Sequence, residues 1–291
     1  MPSRPYRLVK RFALLIKSTY TKVKILFHQI IHFNIYIYIN MSEYTSINVE
    51  NNVAVITLLG KTKGETFPWG TPKQEHRWNP HTVESLMKNL NECASDKNVH
   101  CVVVTGEGKF WSNGMDLAWV DAHTNKENAT FTKRLNDLFE RILCFPIPTI
   151  AALNGHWCAA GGMCGLCFDY RVMNNEKGFF FVPAVDLGVV YSSFQIELMK
   201  SKMPPFMHRE VICFNSTRWL ADQLVENKVV DRACPAASVL PESLKMADLL
   251  KSKGEGPSRG AMEPIKRKVY IQVLNALDTD EKSLMNFNGR S

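Results

Sequence analysis

Apolar runs alternate with segments of helical spacing through much of this chain. Residues 53–59, 99–105 and 149–153 are almost wholly apolar, which predicts buried strands. Between them, segments 80–90 and 130–143 place apolar side chains on one face of a helix. Strands and helices that alternate at this spacing are typical of βαβ units, and therefore of an α/β fold.

Helical spacing dominates the last part of the chain. It predicts helices at 194–202, 205–213, 217–227, 241–251 and 263–277, with a Gly-rich loop at 254–260. We therefore expect an α/β core at 41–230 and a C-terminal helical region at 231–291. Residues 1–40 form a leader outside that core.

The positive charge of the chain is concentrated in this leader. The formal net charge is +7, but residues 1–40 hold seven Lys and Arg and no acid, which leaves 28 basic and 28 acidic residues elsewhere. A neutral folded part gives no reason to expect a nucleic-acid partner. The leader is typical of a mitochondrial transit peptide, or is translated sequence upstream of Met41. Polar residues such as His28 and Asn34 argue against a stable membrane span.

The eight cysteines lie mostly in apolar runs, and no secretory signal is present, which predicts buried, reduced thiols. Cys164 and Cys167 form one CxxC pair beside His156. Because that pair falls inside an apolar helical run, a structural role is favoured over a metal site, and no metal is predicted.

Two loops carry the candidate chemistry. Residues 110–117 and 154–162 each follow a strand-like run and contain small residues, where backbone N–H groups are left free to meet a ligand oxygen. Two such donors form an oxyanion hole, which stabilises negative charge that develops on a carbonyl oxygen.

The order of several motifs resembles the crotonase (enoyl-CoA hydratase/isomerase) superfamily, and within it the Δ3,Δ2-enoyl-CoA isomerases of fatty-acid β-oxidation. The resemblance runs over about 46–231 and is carried by the segments EHRWNP at 75–80, VVVTG at 102–106, KFWSNGMDL at 109–117, PIPTIAALNG at 146–155, DYRV at 169–172 and VDLG at 185–188. It implies a ββα spiral core and a C-terminal helical region used in assembly. The expected assembly is a homotrimer or a dimer of trimers.

The resemblance also implies a coenzyme A thioester as the ligand, with coenzyme A as part of the substrate and no separate cofactor. By position, the family's two oxyanion donors fall on the backbone N–H groups of Met115 and Ala160. The remaining substrate contacts fall on Phe110, Asn113, Gly114, Asp116, Leu117 and Gly161. A mitochondrial matrix or peroxisomal location is implied, although Gly289-Arg290-Ser291 is not a Ser-Lys-Leu type of signal.

The positions that carry a catalytic glutamate in such enzymes hold other residues here. The three positions are Met163, Ala184 and Ser192, of which Ala184 is the isomerase-type position. None of these side chains can act as a carboxylate base. Substitute bases to consider are Asp186, Tyr191, Glu197 and His156, none of them favoured.

Three functions therefore remain open. One is an enoyl-CoA isomerase with an unidentified base, and another is a catalytically inactive acyl-CoA-binding or assembly subunit. The third is an enoyl-CoA hydratase or acyl-CoA hydrolase.

Other conspicuous residues have structural interpretations. Asp116 is predicted to cap a helix and Asp169 to anchor a strand entry. The tryptophans at 69, 78, 111 and 119 are predicted to be core residues rather than the lining of an acyl tunnel. Lys266, Arg267 and Lys268 are either solvated or face coenzyme A phosphates.

Overall fold

The computed structural model describes residues 40–41, 43–60, 66–214 and 217–283. The leader therefore lies outside the described residues except for its last residue, Asn40. Two sheets and a set of surrounding helices make up the described part, in agreement with the predicted α/β class.

The larger sheet has seven strands in the order β1-β2-β3-β4-β6-β8-β11. Its strands are Asn40–Met41 (β1), Thr45–Glu50 (β2), Val53–Leu58 (β3), Cys101–Gly106 (β4), Thr149–Leu153 (β6), Tyr170–Asn174 (β8) and Arg232–Cys234 (β11). β1, β2 and β3 pair antiparallel, and the pairs from β3 to β11 are parallel. The predicted strands at 53–59, 99–105 and 149–153 are confirmed within two residues.

The smaller sheet has four strands in the order β10-β9-β7-β5. They are Phe110–Ser112 (β5), His156–Cys158 (β7), Phe179–Phe181 (β9) and Trp219–Leu220 (β10). β5, β7 and β9 are parallel, so the ends of β5 and β7 lie at the same edge of this sheet. That edge delivers the two loops singled out in the sequence.

The helices surround both sheets. Their bounds are Pro80–Ser95 (α1), Leu117–Asp121 (α2), Asn125–Leu143 (α3), Ala160–Cys167 (α4), Ser193–Lys202 (α5), Pro205–Met207 (α6) with a π-helical continuation His208–Cys213, Ala221–Glu226 (α7), Val239–Leu250 (α8), Gly256–Val269 (α9) and Ile271–Ser283 (α10). Asn79 caps α1 as predicted, because its side chain accepts from the N–H groups of His81 and Thr82. None of the helices in the described residues has both the length and the apolarity to cross a bilayer.

Two helix predictions were wrong in part. The segment 254–260 is not a separating loop, because α9 begins at Gly256 with Pro257 in its first turn, where no intrahelical N–H bond is lost. Arg259 also fixes that turn by donating to the carbonyl oxygens of Val99 (2.6 Å) and Ala94 (2.7 Å). At 217–227, Trp219 and Leu220 pair with β9 before α7 begins, so tertiary pairing overrides the helical pattern there.

The core and the C-terminal region are joined by buried contacts. α10 packs against α5, with Val273 and Leu277 buried, and α8 covers the larger sheet. β11 extends that sheet into the range 231–291. Seven of the eight cysteines are buried as predicted, but Cys213 is exposed. The part of the chain that the structure describes contains no cluster of potential metal ligands.

Candidate active site

The first loop leaves β5 at Ser112 and is held against the segment before α1. The N–H of Trp78 donates to the carbonyl oxygen of Gly114 (2.7 Å), and the N–H of Asp116 donates to the carbonyl oxygen of Trp78 (2.9 Å). Met115 lies between these two ties. Because the C=O and N–H of a trans peptide point in opposite directions, the N–H of Met115 points away from Trp78. Among the described residues it has no hydrogen-bond acceptor.

The second loop leaves β7 at Cys158 and turns sharply at Ala159. Ala159 has φ 49° and ψ −127°, a conformation that costs a non-glycine residue about 1–3 kcal/mol. Its N–H donates to the carbonyl oxygen of Phe181 (2.7 Å), and its own carbonyl accepts the N–H of Met163 (3.1 Å). The N–H of Ala160, the first residue of α4, therefore meets no acceptor in the described structure.

The two loops touch each other. A Cβ atom built on Gly114, which has φ 83°, would lie 2.7 Å from the Cβ of Ala159 and 3.2 Å from the N of Ala160. A side chain at Gly114 would therefore push the loops apart. The structure thus brings the free N–H of Met115 and the free N–H of Ala160 to one small region at the edge of the smaller sheet.

The other residues expected to contact substrate lie around this region in different states of exposure. Asp116 is fully buried, Asn113 and Phe110 are partly buried, and Leu117 is exposed at the start of α2. Asp116 caps α2 as predicted, through the N–H of Trp119 (3.3 Å). The side chain of Asp116 has no exposed surface in this structure, and the expected substrate contact at Asp116 stays a prediction.

The three positions at which relatives carry a carboxylate, and this chain does not, have distinct surroundings. Met163 is buried in α4, and Ala184 is 8% exposed in the turn after β9. The side chain of Ser192 accepts the N–H of Gln195 and so caps α5. β9 ends at Phe181, whose carbonyl oxygen accepts the N–H of Ala159. The turn that carries Ala184 therefore leaves the smaller sheet beside the second loop.

The substitute bases are poorly suited to accept a proton there. The Tyr191 hydroxyl contacts the Ala184 backbone, because it accepts the N–H of Ala184 (3.3 Å) and donates to the carbonyl of Val182 (3.1 Å). Burial raises the pKa of Tyr191 to about 12, so the phenol is neutral at physiological pH. Asp186 is exposed, and Glu197 pairs with Lys200 (2.6 Å).

His156 is buried at the start of β7, between the rings of Phe110 and Phe179. Burial, followed by the positive charges of Lys109 and Arg218, lowers the pKa of its imidazole. The Lys109 ammonium lies over Phe110, and the Arg218 guanidinium lies over Phe179 and Phe181. No acidic residue in the described ranges forms an ion pair with either cation.

Two of the three basic residues at 266–268 form ion pairs, unlike Lys109 and Arg218. Lys266 donates to the Asp169 carboxylate (2.6 Å), and Asp169 also accepts the N–H of Thr149 (2.9 Å), which confirms Asp169 as an anchor of strand entry. Arg267 pairs with Glu140 (2.9 Å). Lys266 and Arg267 therefore tie α9 to the core.

Sequence reasoning missed His76, which supports the first loop. Its Nδ1 lies 3.0 Å from the carbonyl oxygen of Phe110, and its own carbonyl accepts the Ser112 hydroxyl (2.8 Å). His76 is in the left-handed region at φ 46°. The only sequence signal was its place in the EHRWNP segment, because a buried histidine in a loop has no periodic pattern.

The fold and the paired backbone donors define a crotonase-like α/β protein, and comparisons agree with this class. The apo structure of an enoyl-CoA isomerase from Mycobacterium tuberculosis superposes with a TM-score of 0.72 at 18% identity, covering 85% of this chain and 100% of that one. An enoyl-CoA hydratase/isomerase family protein from Pseudomonas syringae gives 0.71 at 22% identity, covering 85% and 99%. At these identities the likeness establishes the fold.

The family model for enoyl-CoA hydratase/isomerase matches residues 69–289, and the chain belongs to that family. Enoyl-CoA delta isomerase 3 of Arabidopsis thaliana is 28% identical over 227 residues, covering 75% of this chain and 93% of the relative. Peroxisomal enoyl-CoA delta isomerase 2 of the same plant is 30% identical over 218 residues, covering 72% and 89%.

Proposed function

We propose that this protein binds an acyl-CoA thioester and polarises its carbonyl through the N–H groups of Met115 and Ala160, but lacks the base needed for rapid isomerisation. The observation that carries the proposal is the pairing of two free backbone donors in touching loops, beside a turn that holds Ala184. Each oxyanion donor is worth about 3–4 kcal/mol for charge that develops on a carbonyl oxygen.

Isomerisation of a 3-enoyl thioester requires removal of a proton from the carbon next to the carbonyl. The oxyanion hole stabilises the enolate that results, but a base must accept that proton. Positioned bases contribute typically 10²–10⁴-fold to such steps. With Ala184 at the isomerase-type position and a neutral Tyr191 beside it, we infer that turnover is slower by about this factor.

The charges around the loops fit a ligand that carries phosphates. Lys109 precedes β5 directly, and Arg218 precedes β10 of the same sheet. Neither cation is used in an ion pair among the described residues, so both are available to the phosphate groups of coenzyme A. We infer no cofactor other than coenzyme A as part of the ligand.

We also propose that the protein assembles as a homotrimer or a dimer of trimers. Support comes from large apolar side chains left exposed in the C-terminal helical region, namely Leu249, Ile265, Val269 and Ile271. A peroxisomal location is proposed because two Arabidopsis relatives are named as peroxisomal. The mitochondrial alternative depends on the leader.

The test uses the full chain as wild type, Ala184→Glu and Ala184→Gln. Calorimetry measures binding of a saturated acyl-CoA, and absorbance follows conversion of 3-enoyl-CoA to 2-enoyl-CoA. We expect all three proteins to bind, and only Ala184→Glu to gain turnover, by about a hundredfold or more over wild type. Gln matches Glu in size but cannot accept the proton.

Two results would overturn the proposal. Absence of acyl-CoA binding by folded wild type would remove the ligand class itself. Turnover by wild type at the rate of Ala184→Glu would mean that another residue supplies the base.

A further inference from the structure

We propose that Asp116 is a positioning residue for the Met115 donor, and that its buried carboxylate fixes the direction in which the Met115 N–H points. This inference rests on the proposed role of Met115 in polarising a thioester. Asp116 follows Met115 in the chain, and its side chain has no exposed surface.

The carboxylate is held by donors from three separate segments. Oδ2 accepts the indole N–H of Trp69 (2.7 Å) and the side-chain amide of Asn79 (3.3 Å). Oδ1 accepts the hydroxyl of Thr71 (2.6 Å) and the backbone N–H of Trp119 (3.3 Å). These donors lie in the loop before α1, at the cap of α1 and at the start of α2, so one carboxylate joins all three to the donor loop.

Two backbone hydrogen bonds also hold the chain on either side of Met115. The Asp116 N–H is tied to the carbonyl of Trp78, and the Gly114 carbonyl is tied to the N–H of Trp78. Met115 is therefore fixed at both ends, and the carboxylate of Asp116 holds the second end from the side chain as well. The Met115 N–H lies in the Gly114–Met115 peptide, so rotation of that peptide would turn it away from its present direction, and the ties at Asp116 hold the backbone that follows.

The carboxylate of Asp116 takes no part in an ion pair among the described residues. No lysine, arginine or histidine in the described ranges lies within ion-pair distance of it. All four partners are neutral donors, and such charge-assisted bonds are roughly twice as strong as neutral ones. A cap alone would need only the bond to Trp119, whereas the two shortest bonds run to Trp69 and Thr71.

Replacement of Asp116 by asparagine disturbs this set of hydrogen bonds. Asp116→Asn keeps the shape but replaces one oxygen by an NH₂ group. If the NH₂ takes the place of Oδ2, it meets Trp69 and Asn79, which both donate. If it takes the place of Oδ1, the Thr71 hydroxyl can turn to accept it, but the N–H of Trp119 still faces a donor. The donor loop must shift to relieve the conflict, and the Met115 N–H shifts with it.

The experiment measures carbonyl polarisation without turnover. A conjugated acyl-CoA thioester is bound to the full chain, and the red shift of its absorption band reports how strongly the donors pull on the carbonyl oxygen. Its dissociation constant is measured in parallel. The variants are Asp116→Asn, Thr71→Val and the control Thr124→Ala. Thr124 caps α3 through the N–H of Glu127, so this control removes a helix cap elsewhere.

We expect Asp116→Asn to lose most of the red shift while its dissociation constant changes by less than about tenfold, because the coenzyme A moiety carries much of the binding. Thr71→Val should give an intermediate loss, and Thr124→Ala should match wild type. Full red shifts in both Asp116→Asn and Thr71→Val would overturn the inference. If Asp116→Asn does not fold, Thr71→Val decides alone. Wild type that binds no thioester, or binds it without a shift, would instead overturn the proposed function.

Discussion

A Cβ atom built on Gly161 would lie 2.5 Å from the carbonyl oxygen of Ser112, closer than any side chain tolerates. The first turn of α4 therefore rests directly on the end of β5. This contact brings the second donor loop onto the first, and it depends on a residue without a side chain.

We predict that Gly161→Ala separates the two loops and weakens the fold. The blocking atoms are backbone and the first atoms of a serine side chain, so the neighbour cannot rotate away, and overpacking of this kind costs about 1–3 kcal/mol. Urea denaturation should show the lower free energy of unfolding. The same variant should lose the red shift of a bound conjugated acyl-CoA.

Gly260→Ala is the matched control. A Cβ at Gly260 meets nothing within 4 Å, and the residue lies inside α9, where Ala is favoured over Gly by about 0.5–1 kcal/mol. The free energy of unfolding should rise by that amount and the red shift should remain. Equal effects of the two variants would contradict the contact argument.

The buried imidazole of His76 gives a prediction about pH. Burial is the main cause that lowers its pKa from 6.5 to about 4, against hydrogen bonds to the carbonyls of Phe110 and Trp111. Its contribution to stability is therefore fully present above pH 6.5 and is lost as the pH falls through 4. The loss amounts to about 3 kcal/mol, at roughly 1.36 kcal/mol for each pKa unit.

His76→Asn should remove this dependence, since Asn tolerates the positive φ of the site. The quantity to measure is the difference in free energy of unfolding between variant and wild type, from pH 7 to pH 4. We expect it to shift by about 3 kcal/mol in favour of the variant as the pH falls. A constant difference for His76→Asn would mean that the imidazole takes up its proton without cost.

The guanidinium of Arg171 predicts a strong distinction between Arg and Lys. It is buried and donates to the carbonyl oxygens of Val229 (2.5 Å) and Phe168 (2.7 Å), with weaker bonds near the end of α4. A lysine cannot reach these acceptors at once. Arg171→Lys should lower the free energy of unfolding by about 3 kcal/mol or more, because carbonyls are left unpaired. A change below 1 kcal/mol in thermal or urea unfolding would show that water replaces the guanidinium.

Much of the fold was predictable because short-range rules govern it. The strand Thr149–Leu153 and the cap of α1 at Asn79 follow from apolar runs and capping chemistry, which are local. The start of α3 at Asn125 was missed, since its first turn is polar and the capping pair of Thr124 and Glu127 lies ahead of the apolar face. The first part of the helix at 256–269 was missed because Gly and Pro usually end helices, whereas a helix was predicted from 263 on, and only the distant partners of Arg259 explain why it begins at Gly256.

The site was predictable in part for a similar reason. Free N–H groups were expected in the two loops because they follow strands, and the family resemblance assigned those groups to Met115 and Ala160; neither N–H has an acceptor among the described residues. The burial of Asp116 was not foreseen, because its partners Trp69 and Thr71 come from a loop distant in sequence. The support from His76 likewise depends on contacts that no periodic pattern reveals.

Lys202 provides the last prediction, in the opposite pH range. Burial, and then the charge of Arg171, lower its pKa from 10.5 to about 8. Its ammonium donates to the Tyr270 hydroxyl (2.6 Å) and lies over that ring, with no acidic partner in ion-pair contact among the described residues. A lysine with a lowered folded-state pKa contributes stability that is present above pH 10.5 and lost as the pH falls to 8.

We therefore expect Lys202→Met to gain on wild type as the pH falls from 10.5 to 8, by about 3 kcal/mol in the free energy of unfolding, and to hold a constant difference below pH 8. Taking the difference between the two proteins cancels the titration of residues that they share. Tyr270→Phe keeps the ring but removes the hydroxyl, so it should destabilise at every pH without reproducing the variant's slope. If the Lys202→Met difference does not change over this range, the ammonium keeps its ordinary hydration, and its contact with Tyr270 does not hold it out of water.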